Sequence, residues 1–197
     1  MASYEYYFIF LKLFVLSVAD MKILITAAVD FELAPARRFA DRVEAVLVAT
    51  GMGAAATRRA LSPLLAGGGF DLALDIGIAG SYRPQLSIGS VVQVIRERHG
   101  DAGGALLTNP APPPALAFLP QATGNTVQQL DERWRTVEAD VESMEGAAFF
   151  ECCLAAGIPF AEVRAVSNFV GEKDHANWDI ALALAKLENA LEKFFER

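Results

Sequence analysis

From Met21 onward, short apolar runs rich in β-branched residues alternate with alanine-rich stretches of helical composition. Most of the apolar runs are continuous, which is typical of strands that are buried on both faces of a sheet. This alternation predicts a three-layer α/β/α domain around a mainly parallel central sheet. In such a domain the functional loops gather at the carboxyl ends of the strands.

The same pattern predicts where each element lies. The strands are expected at residues 22–28, 43–50, 72–78, 90–95 and 160–168, and the helices at residues 31–39, 54–65, 143–156 and 177–196. The last helix has the clearest signal, because its apolar residues recur at 4-3-4-3 spacing from Ile180 to Phe194. Residues 100–122 are rich in Gly, Ala and Pro, which indicates a surface excursion.

The first twenty residues differ in composition from the rest of the chain. Residues 6–19 are apolar except for Lys12 and Ser17, and this run is shorter and more interrupted than the roughly 20 residues that span a bilayer. A secretory signal is a second interpretation, but the positive region that begins such signals is missing and Glu5 is negative. We expect residues 1–20 to be an extension outside the fold, upstream of a start at Met21. Residues 21–197 then form a single domain.

Charge and composition exclude several classes of function. The 17 Lys and Arg residues are outnumbered by 24 Asp and Glu, which argues against a nucleic-acid partner, and no segment predicts a membrane partner. Cys152 and Cys153 are adjacent, so a disulfide between them would be strained, and this suits a cytoplasmic protein. His99 and His175 lack partners at ligand spacing, so we expect no metal and no cofactor.

One motif keeps a cofactor alternative open. Residues 51–56 match the GxGxxA pattern of dinucleotide-binding loops, between a predicted strand and a predicted helix. The motif follows the second strand instead of the first, and Asp71 and Asp75 lie too early in the next strand to bind a ribose. The simpler interpretation is a tight turn made by two glycines.

Carboxylates and an amide follow the predicted strands. Glu32 follows the first strand, where it either faces the ligand edge of the sheet or complements a helix dipole. Glu145 enters a helix among small and apolar neighbours, and a buried carboxylate there needs donors such as the hydroxyls of a sugar. Residues 164–168, Arg-Ala-Val-Ser-Asn, end the last strand with polar side chains, for which a salt bridge at Arg164 and a helix cap at 167–168 are the alternatives.

Taken together, these residues resemble the purine nucleosidase and phosphorylase superfamily. The resemblance rests on Glu32 after the first strand, Gly-Ile-Ala-Gly at 77–80, Ser-Met-Glu-Gly-Ala-Ala at 143–148 and Arg-Ala-Val-Ser-Asn at 164–168, in that order. It covers most of residues 21–168, with 100–140 the poorest match. It implies a nucleoside phosphorylase-like fold. Within the superfamily, residues 77–82, 164–170 and 177–180 are most similar to the futalosine hydrolases of menaquinone biosynthesis.

This resemblance assigns roles to individual residues. Glu32 would activate the attacking water, Glu145 would hold the ribose hydroxyls with Met144 packed on the sugar, and Arg164 would orient Glu32 or the water. Asn168, supported by Ser167, would stabilise the departing base. The expected catalytic residues are Glu32 and Asn168, and the expected substrate-binding residues are Ile78, Val127, Met144, Glu145, Arg164 and Ser167.

Asn168 also selects among substrates. The related methylthioadenosine/S-adenosylhomocysteine nucleosidases, which release adenine, carry Asp in this motif, and a carboxylate offers only acceptors. The Asn168 amide can accept a hydrogen bond from N7–H and donate one to O6 of hypoxanthine, the base of futalosine. We therefore expect hydrolysis of futalosine to hypoxanthine and dehypoxanthine futalosine. Nucleosides of adenine are expected to be poor substrates.

Several points stay open at this level. Phosphorolysis competes with hydrolysis, and a degenerate member that binds a nucleoside without cleaving it is the alternative outside enzymes. Where the family has a base-stacking aromatic residue this chain has Val127, for which Phe169 or Trp134 could compensate. Arg83 or Lys173 could meet the aromatic carboxylate that futalosine carries beyond its ribose. The resemblance also implies a homodimer or a higher homo-oligomer.

Overall fold

The computed structural model describes residues 17–100, 105–129, 138–172 and 174–197, which form eight strands and four α-helices. The strands are β1 (Lys22–Ala27), β2 (Glu44–Ala49), β3 (Leu72–Ser81), β4 (Val91–His99), β5 (Leu107–Thr108), β6 (Gln121–Thr126), β7 (Val141–Ser143) and β8 (Phe160–Phe169). The helices are α1 (Asp30–Arg37), α2 (Ala54–Ala66), α3 (Gly146–Ala156) and α4 (Ile180–Phe195). Short 3-10 turns lie at Val18–Asp20, Pro114–Leu116 and His175–Asn177.

The strands form one mixed sheet in the order β2-β1-β3-β7-β6-β4-β5, and β8 pairs with both β3 and β4. The pairings β1–β2, β1–β3, β3–β8, β4–β6 and β6–β7 are parallel, whereas β3–β7, β4–β5 and β4–β8 are antiparallel. Strands β3, β8, β4, β6 and β7 therefore close into a ring, which the sequence did not predict.

Two apolar cores hold helices against opposite faces of the sheet. Successive residues of a strand point to opposite faces, so Ile23 and Leu24 of β1 enter different cores. Ile23 packs in the core that includes Leu187 and is covered by α1 and α4. Leu24 packs in the core that includes Phe149 and is covered by α2 and α3. The predicted three-layer α/β/α fold is confirmed.

Two sequence-based boundaries are corrected by the structure. The segment over 100–122 is not a simple surface excursion, because its described part contains β5 and buries Leu116 and Leu119 in the core. Asn109 Nδ2 also donates to the carbonyl of Phe160 over 2.7 Å, which fixes this segment to β8. The third helix begins at Gly146, three residues later than expected, because Val141–Ser143 forms β7.

The amino-terminal expectation falls partly outside the described residues. Residues 1–16 are not described, so an extension outside the fold stays a prediction for them. Val18, which lies within the proposed extension, is buried in the core together with Met21. The segment that leads into β1 is thus packed against the domain from Val18 onward.

Candidate active site

The ends of β1, β3, β7 and β8 surround a cleft of about 300 Å³. The polypeptide leaves parallel strands at this edge, where ligand sites of α/β sheets usually form. The cleft brings together six of the eight residues that the sequence analysis selected, namely Glu32, Ile78, Met144, Glu145, Ser167 and Asn168.

The Glu32 carboxylate is fixed by two backbone amides. Its Oε1 accepts from the Ile78 N–H over 2.9 Å, and its Oε2 accepts from the Val29 N–H over 3.4 Å. The second bond caps α1, so the side chain serves the helix terminus and also lines the cleft. Burial raises the pKa of Glu32 above its ordinary value of 4.5, although the Ile78 N–H and the charge of Arg164 lower it. A carboxylate with a raised pKa is suited to accept a proton.

The Glu145 carboxylate is held by backbone amides as well. Its Oε1 accepts from the Gly53 N–H over 2.7 Å and its Oε2 accepts from the Met144 N–H over 3.2 Å. Gly53 has φ +87°, in the left-handed region that favours glycine, and it directs its N–H toward Glu145 just before α2 begins. The GxGxxA turn at 51–56 therefore positions a carboxylate of the cleft through Gly53, and Gly51 has φ +86°, which also favours glycine.

Ser167 and Asn168 lie where the register of β8 shifts against β3. Ala79 pairs with Val166 but Gly80 pairs with Asn168, so Ser167 is the extra residue of a bulge. Bulges redirect side chains, and here both residues line the cleft. The Ser167 hydroxyl donates to Asn168 Oδ1 over 2.8 Å, and Asn168 Nδ2 donates to the Phe169 carbonyl over 3.1 Å. The amide orientation is thereby set, with one Nδ2 hydrogen and one Oδ1 lone pair left for a ligand.

Arg164 lies beneath the cleft without lining it. Its Nε donates to Glu162 over 2.7 Å and its Nη2 bonds Asp75, which also accepts from Thr26 Oγ1 over 2.7 Å. Burial raises the pKa of Asp75 to about 6 and that of Glu162 to about 7, although the guanidinium of Arg164 lowers both. The expected salt-bridge alternative is therefore present at Arg164.

Gly77 lets Arg164 approach Glu32. A β-carbon at residue 77 would lie 2.9 Å from Glu32 Oε1 and closer still to Arg164 Nη1. The missing side chain thus leaves room for a guanidinium under the carboxylate, where its charge lowers the pKa of Glu32. Arg164 acts on Glu32 through this charge, since its own hydrogen bonds go to Asp75 and Glu162.

The structure does not bring every selected residue to the cleft. Val127 is buried and its N–H donates to the Ser143 carbonyl over 2.9 Å, so it supports β7 from outside the lining. Phe169 is 41% exposed but does not line the cleft, and Trp134 lies outside the described residues. The base-stacking residue therefore stays unassigned.

Among the lining residues that were not selected from the sequence, five carry large apolar or aromatic side chains. Phe31, Met52, His175, Trp178 and Ile180 form the outer part of the cleft. Phe31 and Met52 are exposed, which periodicity cannot distinguish from ordinary surface positions. Their position beside Glu32 and Gly53 is the one sequence signal that pointed to them.

Metal and membrane features are absent from the described part of the chain. No group of three or more His, Cys, Asp or Glu side chains there is arranged to hold a metal ion. None of its helices is both long and apolar enough to cross a membrane.

The sequence profile of the phosphorylase superfamily matches residues 115–196, the part of the chain that contains Glu145 and Asn168. The 5'-methylthioadenosine/S-adenosylhomocysteine nucleosidase of Colwellia psychrerythraea, solved in complex with adenine, shares the fold with a TM-score of 0.78 at 18% identity, over 92% of this chain and 97% of that one. The futalosine hydrolase of Thermus thermophilus is 32% identical over 182 positions, which cover 75% of this chain and 80% of the relative. The chain belongs to the futalosine hydrolase family. The futalosine hydrolase of Streptomyces coelicolor is 33% identical over 63% of this chain and 65% of its own length.

Proposed function

We propose that this protein is an N-ribosyl hydrolase that cleaves futalosine to hypoxanthine and dehypoxanthine futalosine. The observation that carries the proposal is the position of the Asn168 amide in the same cleft as the two carboxylates Glu32 and Glu145. Two anionic groups suit the cationic ribose of the transition state, and the amide suits a 6-oxopurine leaving group.

Glu32 is the proposed general base. As the bond between C1' and N9 lengthens, the ribose becomes positively charged and a water attacks C1'. Glu32 takes one proton from this water, and the electrons of the broken bond stay with the purine. The backbone amides of Val29 and Ile78 hold the carboxylate in place during this step.

Glu145 is the proposed ligand of the ribose hydroxyls. Its two oxygens already accept from the N–H groups of Gly53 and Met144, so the carboxylate is oriented before the substrate binds. Each oxygen keeps a lone pair for a hydroxyl donor. The Met144 side chain, which lines the cleft, would pack on the sugar.

Asn168 is the proposed partner of the departing hypoxanthine. Its Oδ1 accepts from N7–H and its Nδ2 donates to O6, while the Ser167 hydroxyl keeps the amide in this orientation. An amide is a poor acid, so the proton that N7 gains comes through a water. Adenine presents N6–H donors where hypoxanthine presents O6, and the mismatch disfavours adenine nucleosides.

The charge of the cleft supports hydrolysis over phosphorolysis. Among the described residues, Glu32, Glu142 and Glu145 line the cleft, and no Lys or Arg does. A phosphate dianion beside these carboxylates would be repelled, whereas phosphate sites gather arginines or amide N–H groups. A neutral water molecule is not repelled by these carboxylates.

The test is to incubate the purified protein with futalosine, inosine and methylthioadenosine, with and without phosphate, and to measure free base. We expect phosphate-independent release of hypoxanthine from futalosine and little adenine from methylthioadenosine. Release that requires phosphate would make the protein a phosphorylase. Adenine release alone would contradict the role of Asn168, and no release from any substrate would favour a nucleoside-binding protein without catalysis.

The wider setting is also part of the proposal. Hypoxanthine release from futalosine places the protein in menaquinone biosynthesis, as a cytoplasmic enzyme. A homodimer or higher homo-oligomer is proposed as well, on the resemblance to the superfamily. Light scattering on the purified protein measures the oligomeric state, and a monomeric mass would contradict this part.

A further inference from the structure

The outer part of the cleft contains side chains that the proposed hydrolysis does not use. Phe31, Met52, His175, Trp178 and Ile180 line it, and all but His175 are largely apolar. Phe31 and Met52 keep 48% and 70% of their surfaces exposed. Large apolar side chains left exposed beside a reaction site are typical of a surface that binds a ligand.

His175 differs in chemistry from the other residues that line the cleft. Among the described residues it is the only one lining the cleft whose side chain can become positive, and it shares the cleft with three glutamates. Its ring packs on Trp178 with 4.4 Å between ring centroids and an angle of 41° between the planes. The pair therefore presents a nitrogen donor beside a flat aromatic surface. Even a neutral imidazole keeps one N–H that can donate to a carboxylate.

The segment that carries this pair is fastened to the base-binding end of the cleft. The Asp179 N–H donates to the Ser167 carbonyl over 2.9 Å, which ties the residues after Trp178 to the bulge of β8. This step rests on the proposed function: with hypoxanthine at Asn168 and the ribose hydroxyls at Glu145, the outer part of the cleft is left for the group on the 5' side of the ribose.

We propose that His175 and Trp178 form the subsite for an aryl carboxylate attached to the 5' side of the nucleoside. The imidazole of His175 donates to the carboxylate, and the indole of Trp178 packs on the aryl ring. The sequence-based candidates for this charge fit less well. Arg83 does not line the cleft and its Nε donates to Asp140 over 3.2 Å, and Lys173 lies outside the described residues.

The test compares two substrates that share hypoxanthine and ribose but differ in the tail. Futalosine carries the aryl carboxylate and inosine lacks it. We expect His175→Gln to raise KM for futalosine about tenfold, the effect of about 1.4 kcal/mol of binding free energy, and to lower kcat/KM for inosine much less. His175→Lys supplies an ammonium donor in place of the imidazole and is expected to recover most of the loss. Trp178→Leu is expected to weaken the binding of futalosine more than the binding of inosine.

His99→Gln is the matched control, because the chain has only two histidines and His99 bonds Glu151 away from the cleft. We expect His99→Gln to leave kcat/KM unchanged for both futalosine and inosine. An equal loss for both substrates in His175→Gln would show a role in shaping the segment and would overturn the subsite, as would no change for either. A wild-type protein that releases hypoxanthine from inosine but not from futalosine would instead contradict the proposed function.

Discussion

At the scale of single residues, the proposed chemistry depends on the protonation state of Glu32. Glu32→Gln keeps the acceptor for the Ile78 N–H but cannot take a proton. We expect kcat to fall by about 10³-fold with the affinity for hypoxanthine unchanged, because general bases contribute effects of this order. Measurement of hypoxanthine release and of hypoxanthine binding separates the two effects.

Asp30→Asn provides the control, since Asp30 is exposed in the same helix and pairs with Arg37. In the wild type, kcat/KM is expected to fall as the pH drops through the pKa of Glu32, which burial holds above 4.5. Protonation removes the base, so the loss lies on the acid side. A Glu32→Gln protein with normal turnover would remove Glu32 from its role.

Asn168 determines the leaving group in the same proposal. Asn168→Asp keeps the size of the side chain and the acceptor for Ser167 but removes the Nδ2 donor that O6 of hypoxanthine needs. We expect futalosine hydrolysis to fall at least about 10³-fold, because an unpaired polar group in a binding site is strongly disfavoured. Release of adenine from methylthioadenosine is expected to increase. Equal rates of hypoxanthine release in the two proteins would show that Asn168 does not contact the base.

At the scale of elements, β3 controls the distance between Arg164 and Glu32. Gly77→Ala places a β-carbon too close to both side chains, so both must shift. We expect kcat to fall about tenfold or more, since small displacements at a reacting centre are costly. We also expect the acid limb of the pH profile to move to higher pH, because separation from a positive charge raises the pKa of Glu32.

Gly67→Ala is the matched control for this substitution. Gly67 has φ −68°, and the nearest atom to an added β-carbon is the Leu64 carbonyl oxygen at 3.4 Å. Activity and melting temperature are expected to stay near those of the wild type. A Gly77→Ala protein with an unchanged pH profile would show that Arg164 does not influence Glu32.

The elements themselves were predictable only where side chains are apolar. The strands β1, β3 and β8 were found because their runs are largely apolar, which is typical of strands buried on both faces, even though β3 carries Asp75 and β8 carries Glu162 and Arg164. Strands β6 and β7 were missed because their buried residues are largely polar. Thr126 donates to Glu97 and accepts from the Ala147 N–H, and these partners lie far away in the sequence. Periodicity carries no signal for a strand whose burial depends on such bonds.

The site was predictable to a similar degree. Glu32, Glu145 and Asn168, which the structure brings into one cleft, were selected because they match family motifs, after the first strand, at the entry of a helix and at the end of the last strand. Val127 was misplaced, since its buried position depends on the pairing of two strands that were not predicted. His175 was treated only as a possible metal ligand, and its place in the cleft depends on the loop before α4.

At the scale of the whole molecule, buried acids concentrate where the ring of strands closes. Glu97 of β4 and Glu162 of β8 are both fully buried, and a β-carbon at Gly146 would lie 2.5 Å from Glu97 Oε1 and 2.7 Å from Glu162 Oε1. Burial raises the pKa of Glu97 well above 4.5, and the charge of Glu162 raises it further. One proton shared between the two carboxyls would relieve their repulsion.

Stability is therefore expected to fall as the pH rises. A folded-state pKa above the unfolded value means that the folded protein binds more protons, so stability is lost between 4.5 and the raised folded pKa, which is about 7 for Glu162. We expect the melting temperature to be lower at about pH 8.5 than at about pH 5.5, with a smaller difference in Glu97→Gln, which cannot ionise. A difference as large in Glu97→Gln as in the wild type would contradict the shared proton.

The carboxylates of the cleft are held by main-chain N–H groups, namely those of Val29, Gly53, Ile78 and Met144. Every amino acid except proline supplies such a donor, so the two carboxylates can keep their orientation when the side chains at most of these positions are replaced. Only Gly53, for its backbone conformation, is restricted beyond that. Substitutions other than proline leave these main-chain N–H groups in place. A scan limited to such substitutions would therefore fail to detect most of the groups that orient the two carboxylates.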